Sequence, residues 1–138
     1  MTEPTLHHIG YVVASVAESA ERVTRAIQGA WDGRIIHDPI QAVHAAFLQQ
    51  PSPASALIEL LEPAGQQSPV WAFLKRGGGL HHLCFEVDHL EEQLEYIRSV
   101  GAVLLQKPVS AVAFDGRRVA WIFTRDKLLL EYLERSRS

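Results

Sequence analysis

The sequence predicts an α+β fold made of two β-α-β-β-β modules, and three internal echoes carry that prediction. Leu6-His-His-Ile-Gly-Tyr-Val-Val13 returns as Leu80-His-His-Leu-Cys-Phe-Glu-Val87, with His8 and His82 74 positions apart (82 − 8). Leu57-Ile-Glu-Leu-Leu-Glu62 returns as Leu129-Leu-Glu-Tyr-Leu-Glu134, so Glu59 and Glu131 stand 72 positions apart (131 − 59). The apolar stripe Val16, Ala20 and Val23 returns as Leu90, Leu94 and Ile97, each 74 positions on. Self-similarity at one period marks a structural unit used twice. Each copy puts a histidine on its first strand and a glutamate on its last.

The elements follow in order. Leu6 to Val13 alternates and is β-rich, which predicts a strand. Ser15 opens a helix as its N-cap, and Glu18 three residues later completes a capping box. Val16, Ala20, Val23 and Ile27 recur at helical spacing and form its buried stripe. Gly29 and Gly33 break the helix, and Arg34 to His37 reads as a short strand. Asp38-Pro39 marks a turn before a strand from Gln41 to Gln50. Pro51 to Ser55 is a loop, and Ala56 to Glu62 is the last strand of module one.

Pro63 to Gln67 reads as a linker. Ser68-Pro69 predicts a helix start, with serine as N-cap and proline in the first helical position. That helix carries Trp71, Phe73 and Leu74 and stops at Gly77. Strand Leu80 to Val87 opens module two, and Asp88 is expected to cap a helix bearing Leu90, Leu94 and Ile97 and ended by Gly101. Val103 to Gln106 is a strand, Asp115-Gly116 a turn, and Val119 to Phe123 and Leu128 to Leu133 the final strands. The tail Glu134 to Ser138 is expected to be a solvated end.

At 138 residues the chain is expected to form a single domain, with module one at 5–62, linker and helix at 63–79, and module two at 80–134. Its hydrophobic content of 47% suits a globular protein, and no apolar run reaches membrane-span length. A net charge of −3 with scattered Lys and Arg argues against a nucleic-acid partner. The opening Met-Thr-Glu-Pro-Thr lacks the features of a secretory signal, which predicts a cytoplasmic protein. The single cysteine, Cys84, precludes an internal disulfide and reads as a small core residue.

Strand alternation frames the chemistry. The neighbours that share a face with Glu59 are Leu57 and Leu61, and those of Glu131 are Leu129 and Leu133. A carboxylate on a leucine face is costly to bury unless something pairs it, and no Lys or Arg on those strands does so. A divalent cation offsets two carboxylates at once, and imidazole completes a common ligand set. Taken singly, either glutamate also fits an edge-strand gatekeeper, and either histidine a hydrogen-bonded core residue. All four at equivalent repeat positions point instead to one metal ion.

The duplicated module with its His…Glu, His…Glu pattern resembles the vicinal oxygen chelate superfamily, whose paired modules form a curved sheet around a glyoxalase-like cleft. Leu60-Leu-Glu-Pro-Ala-Gly-Gln-Gln-Ser-Pro-Val-Trp-Ala-Phe-Leu74, running into Gly-Gly-Leu-His-His, is similar to methylmalonyl-CoA epimerases. The superfamily resemblance covers essentially the whole chain. The epimerase resemblance is strongest from Leu57 to Asp88. It implies one divalent ion (cobalt, nickel, zinc, manganese or iron) held by His8, Glu59, His82 and Glu131. It also settles the second histidine of each pair as the ligand, leaving His7 and His81 on the other side of their strands. A homodimer is a further implication.

The chain departs from the epimerase pattern at one telling place. Those enzymes carry a second catalytic glutamate before the third strand, in a pattern like Asn-Pro-Glu-Gln-Gly-Val. Here Asp38-Pro-Ile-Gln-Ala-Val43 puts Ile40 in that position. Isoleucine takes no proton, so epimerisation by two bases requires Asp38, His44 or Asp115 to substitute. The loop before the last strand is also short, only Thr124-Arg-Asp-Lys127.

The expected function is therefore a metal-dependent isomerase or lyase acting on a small molecule. It would remove a carbon-bound proton while the metal stabilises the enediolate, with Glu131 as base, as implied by the resemblance to bacterial glyoxalase I, whose last-strand ligand doubles as the base. The alternatives are a glyoxalase I-type lyase acting on a thiol adduct and a non-catalytic small-molecule binding or resistance protein of the same fold.

Overall fold

The computed structural model describes residues 3–136. Among them are eight strands, three α-helices and one 3₁₀ turn, an α+β fold as expected. The chain divides into two compact units. One is His8–His81; the other comprises the described residues up to His7 and from His82 onward.

In the first unit the strands are β1 (Thr5–Val12), β2 (Ile36–Asp38), β3 (Val43–Leu48) and β4 (Leu57–Pro63), arranged β2-β3-β4-β1. β1 runs parallel to β4, and the other neighbours are antiparallel. Helix α1 (Val16–Ile27) supplies the crossover that a parallel pair requires. Its cap is the expected one: Ser15 Oγ accepts from Glu18 N at 3.2 Å. Glu62 reaches back from β4 and accepts from Val16 N at 2.9 Å, satisfying another unpaired amide of the first turn. The helix ends at Gln28 in a left-handed conformation, one residue before the expected glycine.

Each face of this sheet buries a different set. Val16 and Ala20 of α1 pack on Ala46, Leu48 and Leu60, with Val23 and Ile27 alongside. Removing one of those leucine side chains would cost about 2–5 kcal/mol. The other face carries Val12, Val43, Ala45 and Leu61, covered by Val70, Phe73 and Leu74. The segment read as linker and helix is thus part of this unit's core. Its helix, α2 (Trp71–Lys75), is shorter than expected and is not capped by Ser68. Ser68 Oγ accepts from Val70 N at 3.3 Å instead, making a turn that ends before the helix starts and leaves Pro69 outside it.

Gly77, Gly78 and Gly79 all have positive φ, of 119°, 69° and 100°. At Gly78 a Cβ would stand 2.7 Å from the carbonyl oxygen of Val12, so the chain passes too close to β1 for any side chain.

The second unit repeats the plan. Its strands are β5 (Gly79–Val87), β6 (Val103–Ser110), β7 (Arg118–Phe123) and β8 (Leu129–Glu134), in the order β5-β8-β7-β6, with β5 parallel to β8. α3 (Leu90–Ser99) packs Leu90 and Leu94 on Ala120, Ile122, Leu130 and Tyr132. β6 runs four residues beyond its expected end, with register shifts at Gln106 that keep an irregular edge strand paired. The 3₁₀ turn Val112–Phe114 occupies what the sequence left as a connection, and Asp115 closes it at φ 54°.

Arg135 gathers the groups at this end of the fold. The residue in the N-cap position of α3 is His89, one past Asp88, and its side chain makes no capping bond. The Asp88 carboxylate accepts from Arg135 Nη1 at 2.5 Å, and Arg135 also donates to Thr5 Oγ1 and Glu86 O. The end of the chain is accordingly pinned rather than solvated at Glu134 and Arg135; its last two residues lie outside the described set. Glu134 pairs with Arg118, which also meets Glu91, and these two carboxylates hold the guanidinium well above its usual range.

Candidate metal centre

In each unit the strand register brings one histidine and one glutamate together. His8 lies on β1, and two residues on, Gly10 pairs with Glu59 of β4. His8 and Gly10 share a face, so the Glu59 side chain rises beside the His8 ring. The second unit repeats this two residues after His82, where Cys84 pairs with Glu131 of β8. His8 Nε2 stands 3.1 Å from Glu59 Oε1, and His82 Nε2 stands 3.4 Å from Glu131 Oε1.

All four side chains are buried. Relative exposure is 0% for His8, 6% for Glu59, 4% for His82 and 4% for Glu131, which disposes of the water-facing gatekeeper reading. Leu60 packs against α1 and Leu130 against α3, so alternation sets each glutamate on the sheet face turned away from its helix. Burial at this depth makes a charged carboxylate costly, and a nearby cation would offset that cost.

The geometry of each pair also suits a bound ion. Two ligand atoms at about 2.0–2.2 Å from one ion, at octahedral to tetrahedral angles, stand about 3.0–3.4 Å apart. Both measured separations fall in that span. Imidazole nitrogen with carboxylate oxygen is a donor set that suits first-row divalent metals.

The first histidine of each pair makes a ring contact of its own. His7 meets the Phe114 ring edge-on at 5.5 Å, and His81 meets Phe73 edge-on at 4.9 Å. Cys84 is fully buried, and its pairing puts it on the face that carries Glu131.

The sequence reading missed two aromatic neighbours. Phe47 is the cross-strand partner of Glu59 and meets the His8 ring at 5.6 Å; Trp121 is the partner of Glu131 and meets the His82 ring at 4.7 Å. They stand 74 positions apart (121 − 47), the same period as the histidines, and that spacing was the available signal.

Asp38, His44 and Asp115, the titratable groups weighed beside Ile40, lie as follows. Asp38 is buried, and its Oδ1 accepts from Ile40 N at 2.9 Å and Gln41 N at 3.0 Å, which holds the turn. His44 pairs in register with Glu62, on the face opposite Glu59, and Asp115 is exposed at the end of the 3₁₀ turn. Ile40 is 54% exposed.

Methylmalonyl-CoA epimerases are among the known proteins to which the chain is similar. An ethylmalonyl-CoA/methylmalonyl-CoA epimerase of Cereibacter sphaeroides is 29% identical over 123 residues, covering 88% of this chain and 89% of its own. The crystal structure of the Mycobacterium tuberculosis methylmalonyl-CoA epimerase superposes with a TM-score of 0.80 at 26% identity, over 99% of this chain and 94% of that one. A hypothetical protein of Bacillus halodurans gives 0.85 at 28% identity, over 99% and 98%. The family model for the glyoxalase/bleomycin resistance protein/dioxygenase superfamily matches residues 7–121. Because that match spans well over half of the chain, the chain belongs to this superfamily.

Proposed function

We propose that the chain is a metal-dependent isomerase, similar in chemistry to methylmalonyl-CoA epimerases, acting on a small CoA thioester with an acidic carbon-bound proton. The observation that carries this reading is the pair of buried His–Glu couples at equivalent repeat positions, each spaced like neighbouring ligands of one ion. His8, Glu59, His82 and Glu131 together would hold a single cobalt, nickel, zinc, manganese or iron ion. When bound, that ion would draw two vicinal substrate oxygens toward it and stabilise the charge that develops as the proton leaves. A second copy of the chain completes the proposed assembly as a homodimer.

Glu131 serves as the base. Its carboxylate is buried on the face shared with Leu133 and Trp121, shielded from bulk solvent. Glu59 remains with His8 as a holding group. With Ile40 where the epimerase pattern has a second glutamate, Glu131 would return most protons to the face they left, and inversion would be the slower outcome. Solvent exchange at the α-carbon would then outrun inversion.

The test is metal content together with proton exchange. Purified wild-type protein should hold about one divalent ion per chain, and His82→Ala and Glu131→Ala should lose it. Incubation of methylmalonyl-CoA with the loaded protein in D₂O should exchange the α-proton. A wild-type chain that stays metal-free after incubation with cobalt, nickel and zinc would overturn the reading. Ile40 also favours a second reading, a glyoxalase I-type lyase, in which a single base suffices. Turnover of a methylglyoxal–glutathione adduct, with methylmalonyl-CoA left untouched, would select it.

A further inference from the structure

A second pair of histidines lies on β2 and β3. His37 and His44 are directly opposite partners in the antiparallel register, His37 exposed and His44 half-buried. His44 pairs onward with Glu62, whereas Phe47 pairs with Glu59, so the two histidines occupy the sheet face that does not carry Glu59. They are therefore no part of the His8–Glu59 couple.

Their Nδ1 atoms are 3.2 Å apart, and their ring centres 4.7 Å, with planes tilted by 35°. An N–H···N hydrogen bond between two rings prefers a straight approach, which at this separation would put the ring centres about 5.5 Å apart. The observed separation is shorter, so the rings lean toward each other. Two imidazole nitrogens about 2.0–2.1 Å from one ion at a near-tetrahedral angle stand about 3.3 Å apart.

We infer that His37 and His44 form a surface site for a divalent ion of the zinc, copper or nickel class. Two neutral imidazoles select such ions over magnesium or calcium, which demand oxygen ligands. Glu62, next in the same row, is already committed to Val16 N, so water completes the coordination. The ion would clip the three-residue edge strand β2 to β3 and close the hairpin whose turn carries Ile40. Because the ion has only two protein ligands, it would exchange more readily than one held by four.

Equilibrium dialysis against zinc chloride, followed by atomic absorption, tests the site in wild type, His37→Ala and His44→Ala. Each variant should hold one zinc fewer per chain than wild type. Copper spectra should show two coordinated imidazoles in wild type and one in either variant. Equal zinc in wild type and His37→Ala would overturn the proposal, and because His37 is exposed that variant should fold even if His44→Ala does not. The readout is a difference between proteins, so it gives the same answer whether or not His8 and His82 bind an ion.

Discussion

Trp121 sits directly across from Glu131 on the neighbouring strand, and its indole meets the His82 imidazole edge-on with 4.7 Å between ring centres. The contact packs an aromatic ring against a proposed ligand and restricts its ring plane. Trp121→Ala should weaken cobalt binding by about tenfold in a calorimetric titration, while Trp121→Phe keeps most of the affinity. Cobalt should also quench indole fluorescence, and Trp121→Phe should lose the larger part of that quenching.

Glu131→Gln preserves shape and removes the base. Proton exchange on methylmalonyl-CoA, followed by NMR in D₂O, should slow by about 10²–10⁴-fold. A folded, metal-loaded Glu131→Gln protein with unchanged exchange would remove Glu131 from the chemistry.

Ile40→Glu restores the side chain that the epimerase pattern has at this place. Ile40 is 54% exposed, so a carboxylate there carries little desolvation cost. Inversion of methylmalonyl-CoA, followed by circular dichroism against exchange, should rise toward the exchange rate. Stability should change by under about 0.5 kcal/mol.

The two long helices start differently, and stability should report it. Ser15→Ala removes a cap and should cost about 1 kcal/mol in urea unfolding. Asp88→Ala removes the ion pair with Arg135. Its effect should come through Arg135 and shrink as salt is raised, since both side chains are partly exposed.

Burial raises the pKa of the Tyr132 hydroxyl, against a smaller opposing hydrogen bond from Gln93. A raised folded-state value means that the folded protein holds this proton more tightly than the unfolded chain. The resulting stability is complete below the ordinary tyrosine range near 10 and is lost as pH rises through the higher folded value. Tyr132→Phe should therefore show a shallower fall in melting temperature above about pH 10.

Much of this molecule could be read from repetition, because a parallel first-to-last strand pairing repeats its side-chain faces whenever the sequence repeats. His8, Glu59, His82 and Glu131 were legible for that reason, and so was the stripe on α1 and α3. Other features depended on partners distant in sequence. Asp88 meets Arg135, 47 positions away, a contact that no local pattern announces. Ser68 looks like a helix cap until its hydroxyl closes on Val70. The His37–His44 contact depends on hairpin register, and a shift of one residue would have sent the two rings to opposite faces.

The run Gly77 to Gly79 leads into the strand that carries His82. Only the middle glycine is confined by contact; a Cβ at Gly77 or Gly79 would meet nothing within 4 Å. What excludes other residues from those two positions is chirality. An L-alanine at either would pay about 1–2 kcal/mol for its left-handed backbone, whereas a D-alanine introduced by chemical ligation matches the sign of φ and restricts the unfolded chain. The mirror-image residue should stabilise the protein where the natural one strains it.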